Sequence, residues 1–328
     1  MSERVIVRKA NDLTNKTFGK LTALNIVNGD NKGKVYWNCK CECGNNNVIV
    51  RADLLTSEIK TDCGCVNEAK KQQLKNERIG TEVVNRQGVI AKCIEYVDAK
   101  NILVEFQDNY KSVIHTTWNY FIKGTIRNPM YPSVHGVGMK GEKYVSTKNY
   151  KQQKEYQAWM SMLDRCYGKQ HFQRRYCDVT CCDDWHLYDN FYEWLHSQGN
   201  FSKWNSENGW HVDKDIIIKG SRVYSPETCV LVPQNVNTLF CKANEIRGDL
   251  PIGVAYYRAD NSKYEAVMSK DNHIVHLGVR NSPEEAFLLY KKEKENYIKQ
   301  IANEQYNIGN ITKRCYDAMI NYEVEITD

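Results

Sequence analysis

Five cysteines crowd one short stretch: Cys39, Cys41 and Cys43 in WNCKCECG, then Cys63 and Cys65 in TDCGC. Thiolates are soft ligands, and four of them satisfy a tetrahedral Zn2+. Alternation along a strand would put the three CxCxC thiols on one face. The second pair follows an excursion long enough to turn back on the first. The spacing predicts a structural zinc site at Cys41, Cys43, Cys63 and Cys65. Cys39 is the alternative ligand; it follows Trp37 and Asn38 on the strand and is expected to pack inward. So small a segment buries too little apolar surface to fold alone, and a bound metal would supply the missing stability. The competing explanation, reduced core thiols, fits less well with this density of cysteines beside Gly44 and Gly64.

A second constellation lies in WHVDKDIIIKGSRVYSPETCVLVPQNVN. His211, Asp213 and Asp215 alternate, so a strand through them would present all three on one face. With Asn237 near the following helix start, they form a donor set for Mg2+ or Mn2+. Such an ion activates water for phosphodiester hydrolysis. The plainer alternative is a solvent-facing strand in which Lys214 pairs with either carboxylate at small gain. Cys166, Cys177, Cys181, Cys182 and Cys229 match no standard zinc spacing and read as buried thiols.

The elements that must position these groups follow from pattern. The fold class expected is α+β and multi-domain: a zinc module at 1–65, a linker helix at 66–80, a β-rich module at 80–140, a core at 150–245, a three-stranded sheet plus helix at 250–306 and a tail at 307–328. Three strand-like runs fill 80–140, and the Pro- and Gly-containing NPMYPSVHGVGMKG reads as an extended linker. EYQAWMSMLDRCY and DWHLYDNFYEWLHSQ carry apolar residues at helical spacing. SPEEAFLLYKKEKENYIKQIANEQY is a long helix, with Ser282 as N-cap and Pro283 at the first position.

Bulk composition narrows the classes. The chain has 328 residues, 41% apolar and 26% charged, which is ordinary globular material. It has no apolar run long enough to span a bilayer, and its first residues lack a signal-peptide core. Thirteen cysteines without such a signal favour metal ligation or core packing over disulfides. The net charge of +5 permits nucleic-acid binding without demanding it.

Three segments resemble known families. NDLTNKTFGKLTAL, YWNCKCECG and CGC together resemble a small cysteine module of bacteriophage proteins, which implies a structural zinc clip on a DNA-acting protein. RCY (165–167), DDWHLYDNFYEWL (183–195), VDKDI (212–216) and YSPETCVLVP with Asn237 resemble phage-borne HNH-type homing endonucleases. That likeness implies a ββα-metal core with His211, Asp213, Asp215 and Asn237 at the catalytic metal. LPIGVAYYRADNSKYEAVM and HLGVRNSPEEAFLLYKKEKENYI resemble the AP2-type DNA-binding domain. Its sheet would present Tyr257, Arg258, Lys263, Tyr264, Lys270 and Arg280 outward to duplex DNA. The expectation is a phage or mobile-element protein of the bacterial cytoplasm that binds double-stranded DNA and cuts it with a divalent metal. A second reading is a non-cutting binder of nucleic acid or of a host nucleoprotein complex such as a defence effector. A third is an RNA-binding regulator. No membrane partner is expected.

Overall fold

The computed structural model describes residues 11–27, 34–168, 178–241, 249–271, 273–326 and 328. The chain divides into two compact units, Met1–Asn128 and Pro129–Asp328.

The first unit holds two small antiparallel sheets. β1 (Thr17–Phe18), β2 (Leu21–Val27), β3 (Tyr36–Cys41) and β4 (Val48–Arg51) pair in sequence order. Period-two alternation sends Trp37, Cys39 and Cys41 of β3 inward and leaves Lys40 in solvent. Leu13, Leu21, Ala23, Val50 and Leu55 of the short helix α1 (Ala52–Thr56) complete this core. Helix α2 (Cys65–Arg78) buries no residue. The second sheet runs β5 (Glu82–Val84), β6 (Ile90–Asp98), β7 (Asn101–Phe106) and β8 (Val113–Thr116), again in sequence order. The last of the three strand-like runs breaks early. Thr117 accepts a hydrogen bond from the Tyr120 amide and caps helix α3 (Trp118–Ile122), which delivers Phe121 to the core.

The second unit opens with residues 129–144, most of which belong to NPMYPSVHGVGMKG (128–141), the expected extended linker. The segment packs instead. Val134 is buried against Trp159 and Leu163, and Met139 bridges to Leu187. Next come the hairpin β9 (Thr147–Lys148) and β10 (Lys151–Gln152), and helix α4 (Lys154–Tyr167). β11 (Thr180–Cys181) leads through a 3-10 turn to α5 (Tyr188–Ser197) and α6 (Phe201–Ser206). β12 (Trp210–Asp213), β13 (Val223–Tyr224), β14 (Val230–Pro233) and α7 (Gln234–Leu239) follow. The sheet β15 (Val254–Tyr256), β16 (Tyr264–Lys270) and β17 (His273–Arg280) is antiparallel, and α8 (Pro283–Asn307) packs on it. Ser282 caps α8 by accepting from the Glu285 amide at 3.2 Å, with Pro283 in the first turn, as its sequence demands. The stretch read as a featureless tail contains α9 (Lys313–Ile320), whose Cys315 and Met319 are buried.

β14 explains how this unit holds together. Its run VLV is buried on both faces. Leu231 joins the core of α4 and α5, with Trp159, Trp185 and Phe191. Val230 and Val232 join the core of α8 and its sheet, with Ala266, Phe287 and Ile298. A short continuous apolar run is the mark of a strand covered on two sides.

A single carboxylate clamps the start of the unit. Asp189, 3% exposed in the first turn of α5, accepts the amides of Glu142 (2.9 Å), Lys143 (3.1 Å) and Tyr144 (3.2 Å). Gly141 has φ +78°, and a Cβ there would come within 2.1 Å of Asp189 Oδ2. Three half-buried backbone hydrogen bonds would lose their acceptor in Asp189→Ala. The expected cost is about 3 kcal/mol in urea unfolding, at about 1 kcal/mol per bond. Asp189→Asn should lose about half of that; a cost below about 1 kcal/mol for the alanine would show that the clamp holds little.

Candidate metal centre and central cleft

Cys41 ends β3, and the chain then turns, with the Gly44 amide donating to the Cys41 carbonyl at 3.0 Å. Cys43 therefore lies in the turn rather than on the strand face that alternation assigned to it. Turning brings its thiol to Cys63, at Sγ–Sγ 3.3 Å. On the other arm, Gly64 adopts φ +105° and Cys65 begins α2, with its Sγ 3.7 Å from that of Cys41. All four sulfurs lie within 4.8 Å of one another. Zn–S bonds of about 2.3 Å imply tetrahedral edges of about 3.8 Å, and a disulfide would need about 2.05 Å. The four thiols thus fit a metal ion such as zinc. Cys39 stands apart: it is wholly buried, and its Sγ points to the Trp37 carbonyl at 3.8 Å.

The electrostatics suit a cation. The backbone amide of Cys43, directed at Cys41, pulls that thiol down to about 6. Burial, and then the neighbouring sulfurs, push Cys65 up to about 12. Packed thiols resist joint ionisation until a cation compensates them.

The turn Phe18-Gly19-Lys20 holds the two arms together. The Lys20 amide donates to the Thr61 carbonyl at 2.6 Å, and the Lys20 carbonyl accepts from the Glu42 amide at 2.9 Å. One residue thereby ties the segment before Cys63 to the turn between Cys41 and Cys43. Gly19, at φ +58°, allows this approach; a Cβ would lie 2.5 Å from the Thr61 Cβ.

The second constellation converges only in part. His211, Asp213, Asp215 and Asn237 all line one cleft of about 480 Å3, with Arg165, Lys214, Lys219, Arg222 and Tyr224. Strand β12, which pairs antiparallel with β14, and helix α7 supply residues to its wall. The carboxylates are not on one strand face, however. β12 ends at Asp213, and Asp213 Oδ1 accepts the amides of Asp215 (2.8 Å) and Ile216 (3.0 Å). That turn carries Asp215 off the strand. Burial raises the Asp213 carboxyl above its ordinary range. Lys214 places its ammonium 2.8 and 2.9 Å from the two Asp215 oxygens and 2.7 Å from the Ser221 carbonyl, with its side chain 7% exposed. His211 is taken by the Gln234 side chain. Among the described residues, the four-cysteine group is the only one that gathers three or more His, Cys, Asp or Glu ligand atoms around one point.

The expected outward set on the C-terminal sheet also divides. Tyr264, Ala266, Met268 and Lys270 share the face of β16 turned to α8; Tyr264 packs on that core, and the Lys270 ammonium sits 5.1 Å from the Tyr297 ring. Arg280 pairs across from Tyr264 and so belongs to that same face, at its exposed end. Tyr257, Arg258 and Lys263 cluster at the β15–β16 turn, where Arg258 and Lys263 are exposed. The open face carries Glu265 and His276, 2.9 Å apart. A bulge between Ala266 and Val267 shifts the register and was invisible in the alternation.

Cys166, Cys181, Cys182 and Cys229 are buried or half-buried free thiols, and Cys177 lies outside the described residues. Among the described residues no helix is long and apolar enough to cross a membrane. Pattern reasoning missed Lys20, Arg165, Lys219 and Arg222. Lys20 lies inside TFGK, and the last two sit in the loop KGSR, where a glycine between basic residues is the available signal. Compared with protein-family models, curated proteins and solved structures, the chain matches none.

Metal analysis of protein purified without chelator should give about one zinc per chain. Cys65→Ser should lower that content, Cys39→Ser should leave it unchanged, and Gly19→Val should lower it without touching a ligand. A fully folded, metal-free protein would rule the centre out.

Proposed function

We propose that the chain is a double-stranded-DNA-binding protein whose central ββα-like cleft grips the phosphate backbone without cutting it. The observation that carries this reading is the state of the cleft's charges. Arg165, Lys214, Lys219 and Arg222 line it, while both carboxylates are engaged internally. Asp213 serves backbone amides, and the Lys214 ammonium stands against Asp215 where a nuclease would hold its metal. Cations lining a cleft that has no open carboxylate pair suit backbone binding. The four-cysteine module is a structural zinc clip in this reading. Tyr257, Arg258, Lys263 and Arg280 add backbone contacts from the C-terminal sheet, and Tyr264 and Lys270 act as packing residues for α8. Several weak modules on one chain reach a useful affinity through effective concentration.

The test is binding and cleavage on a randomised duplex library, with and without Mg2+ or Mn2+. The expected result is salt-dependent binding and intact DNA. Arg222→Ala should weaken binding across all sequences and reduce the salt slope by about 0.9. Metal-dependent nicking abolished by Asp213→Ala would restore the HNH-type endonuclease reading. Preference for single-stranded or folded RNA in competition would replace DNA as the target.

A further inference from the structure

One of the cleft's cations is already held by carboxylates. Lys219 places its ammonium 2.8 Å from Asp328 Oδ2, 3.5 Å from Glu325 Oε2 and 2.9 Å from the Glu323 carbonyl. All three partners, Glu323, Glu325 and Asp328, follow α9. The same segment supplies Tyr322 to the cleft wall, where its ring meets Phe240 at 4.8 Å and lies 5.2 Å from the Lys219 ammonium. Its other side is tied to α8: Lys291 donates to the Val324 carbonyl at 2.7 Å, and the Val324 amide donates to Glu295 at 2.9 Å. The segment is thus anchored on one edge and on the other offers two carboxylates to Lys219, a cation of the cleft wall. A carboxylate and a phosphate oxygen compete for the same ammonium.

We propose that residues 321–326 and Asp328 form an autoinhibitory arm, whose Glu325 and Asp328 occupy Lys219 in place of a nucleic-acid phosphate. The inference rests on the backbone-binding reading of the cleft. Docking of a duplex at the cleft then requires Lys219 to exchange its carboxylates for phosphate. Affinity in the resting protein is lower than the cleft's cations alone would give. The effect is electrostatic and local, so it must pass through Lys219.

The experiment is a mutant cycle read by fluorescence anisotropy on one labelled duplex over a range of salt. E325Q/D328N should bind several-fold more tightly than the unmodified protein. Its log K against log salt should be steeper by about 0.9, the share of one released counterion. K219A alone should change little, because Lys219 is engaged by the arm. K219A in the E325Q/D328N background should erase the gain. E68Q/E77Q, an equal charge change on the exposed helix α2, is the control and should give no comparable gain. Circular dichroism and thermal melts establish that each variant is folded. No gain in E325Q/D328N overturns the arm and leaves the binding reading standing. A gain that survives K219A, or that the control matches, also overturns the arm, since the effect would then be general charge. If no variant binds any duplex, the binding reading itself fails and the arm with it.

Discussion

The first unit depends on two hydrogen bonds made by one backbone residue. Lys20 donates to Thr61 and accepts from Glu42, so the segments that carry the two cysteine pairs are joined before any metal is considered. Each sheet in this unit has four strands and covers its own small core. Small modules of this kind need a constraint beyond hydrophobic burial. Here the turn at Gly19 sets the approach of the two arms, and the thiols finish the closure. The side chain of Lys20 plays no part in that contact, which is why a charged residue sits at a structural position.

In the second unit the equivalent constraint is β14. A strand buried on both faces cannot be removed from one core without opening the other. The cleft is built on its antiparallel pairing with β12, so the charged groups stand on the most enclosed part of the unit. That placement accounts for the behaviour of Lys214. A buried ammonium must be paired and hydrogen-bonded, and Asp215 and the Ser221 carbonyl meet this need. The pair and the turn at Asp213 together shape the loop 214–222, which carries Lys219 and Arg222 to the cleft.

Some of this was readable in the residues. The cysteine spacing named the four clustered thiols and set Cys39 apart, because cysteine is rare enough for spacing to carry information. Ser282 and Pro283 marked the start of α8, since caps act locally. The failures share a cause: chain direction changing within two or three residues. Asp213 bonds to the amides ahead of it and ends β12, so the alternation that put Asp215 on the same face did not continue. Thr117 caps a helix inside a run that reads as β. The bulge at Ala266 and Val267 slips the face assignments of the sheet. Residues 129–144 have linker composition, but Asp189 supplies from 45 residues or more away the acceptors that order them. Long-range pairing of that sort leaves no local trace.

Helix α2 begins at Cys65, within the thiol cluster, and ends at Arg78. There the guanidinium sits 4.9 Å from the Tyr96 ring and 4.5 Å from the Trp118 ring, and bonds the Tyr96 hydroxyl. Between those two ends it is mostly polar and buries nothing, so the surface there has no packing task. Its length and phase do. Fourteen residues span about 21 Å, and each added residue would advance the far end by about 1.5 Å and rotate it by about 100°. The helix therefore works as a strut with a fixed angular setting between the cysteine sheet and the second sheet. Substitutions along its exposed surface leave that setting alone, whereas one inserted residue would reorient one sheet against the other by more than a quarter turn.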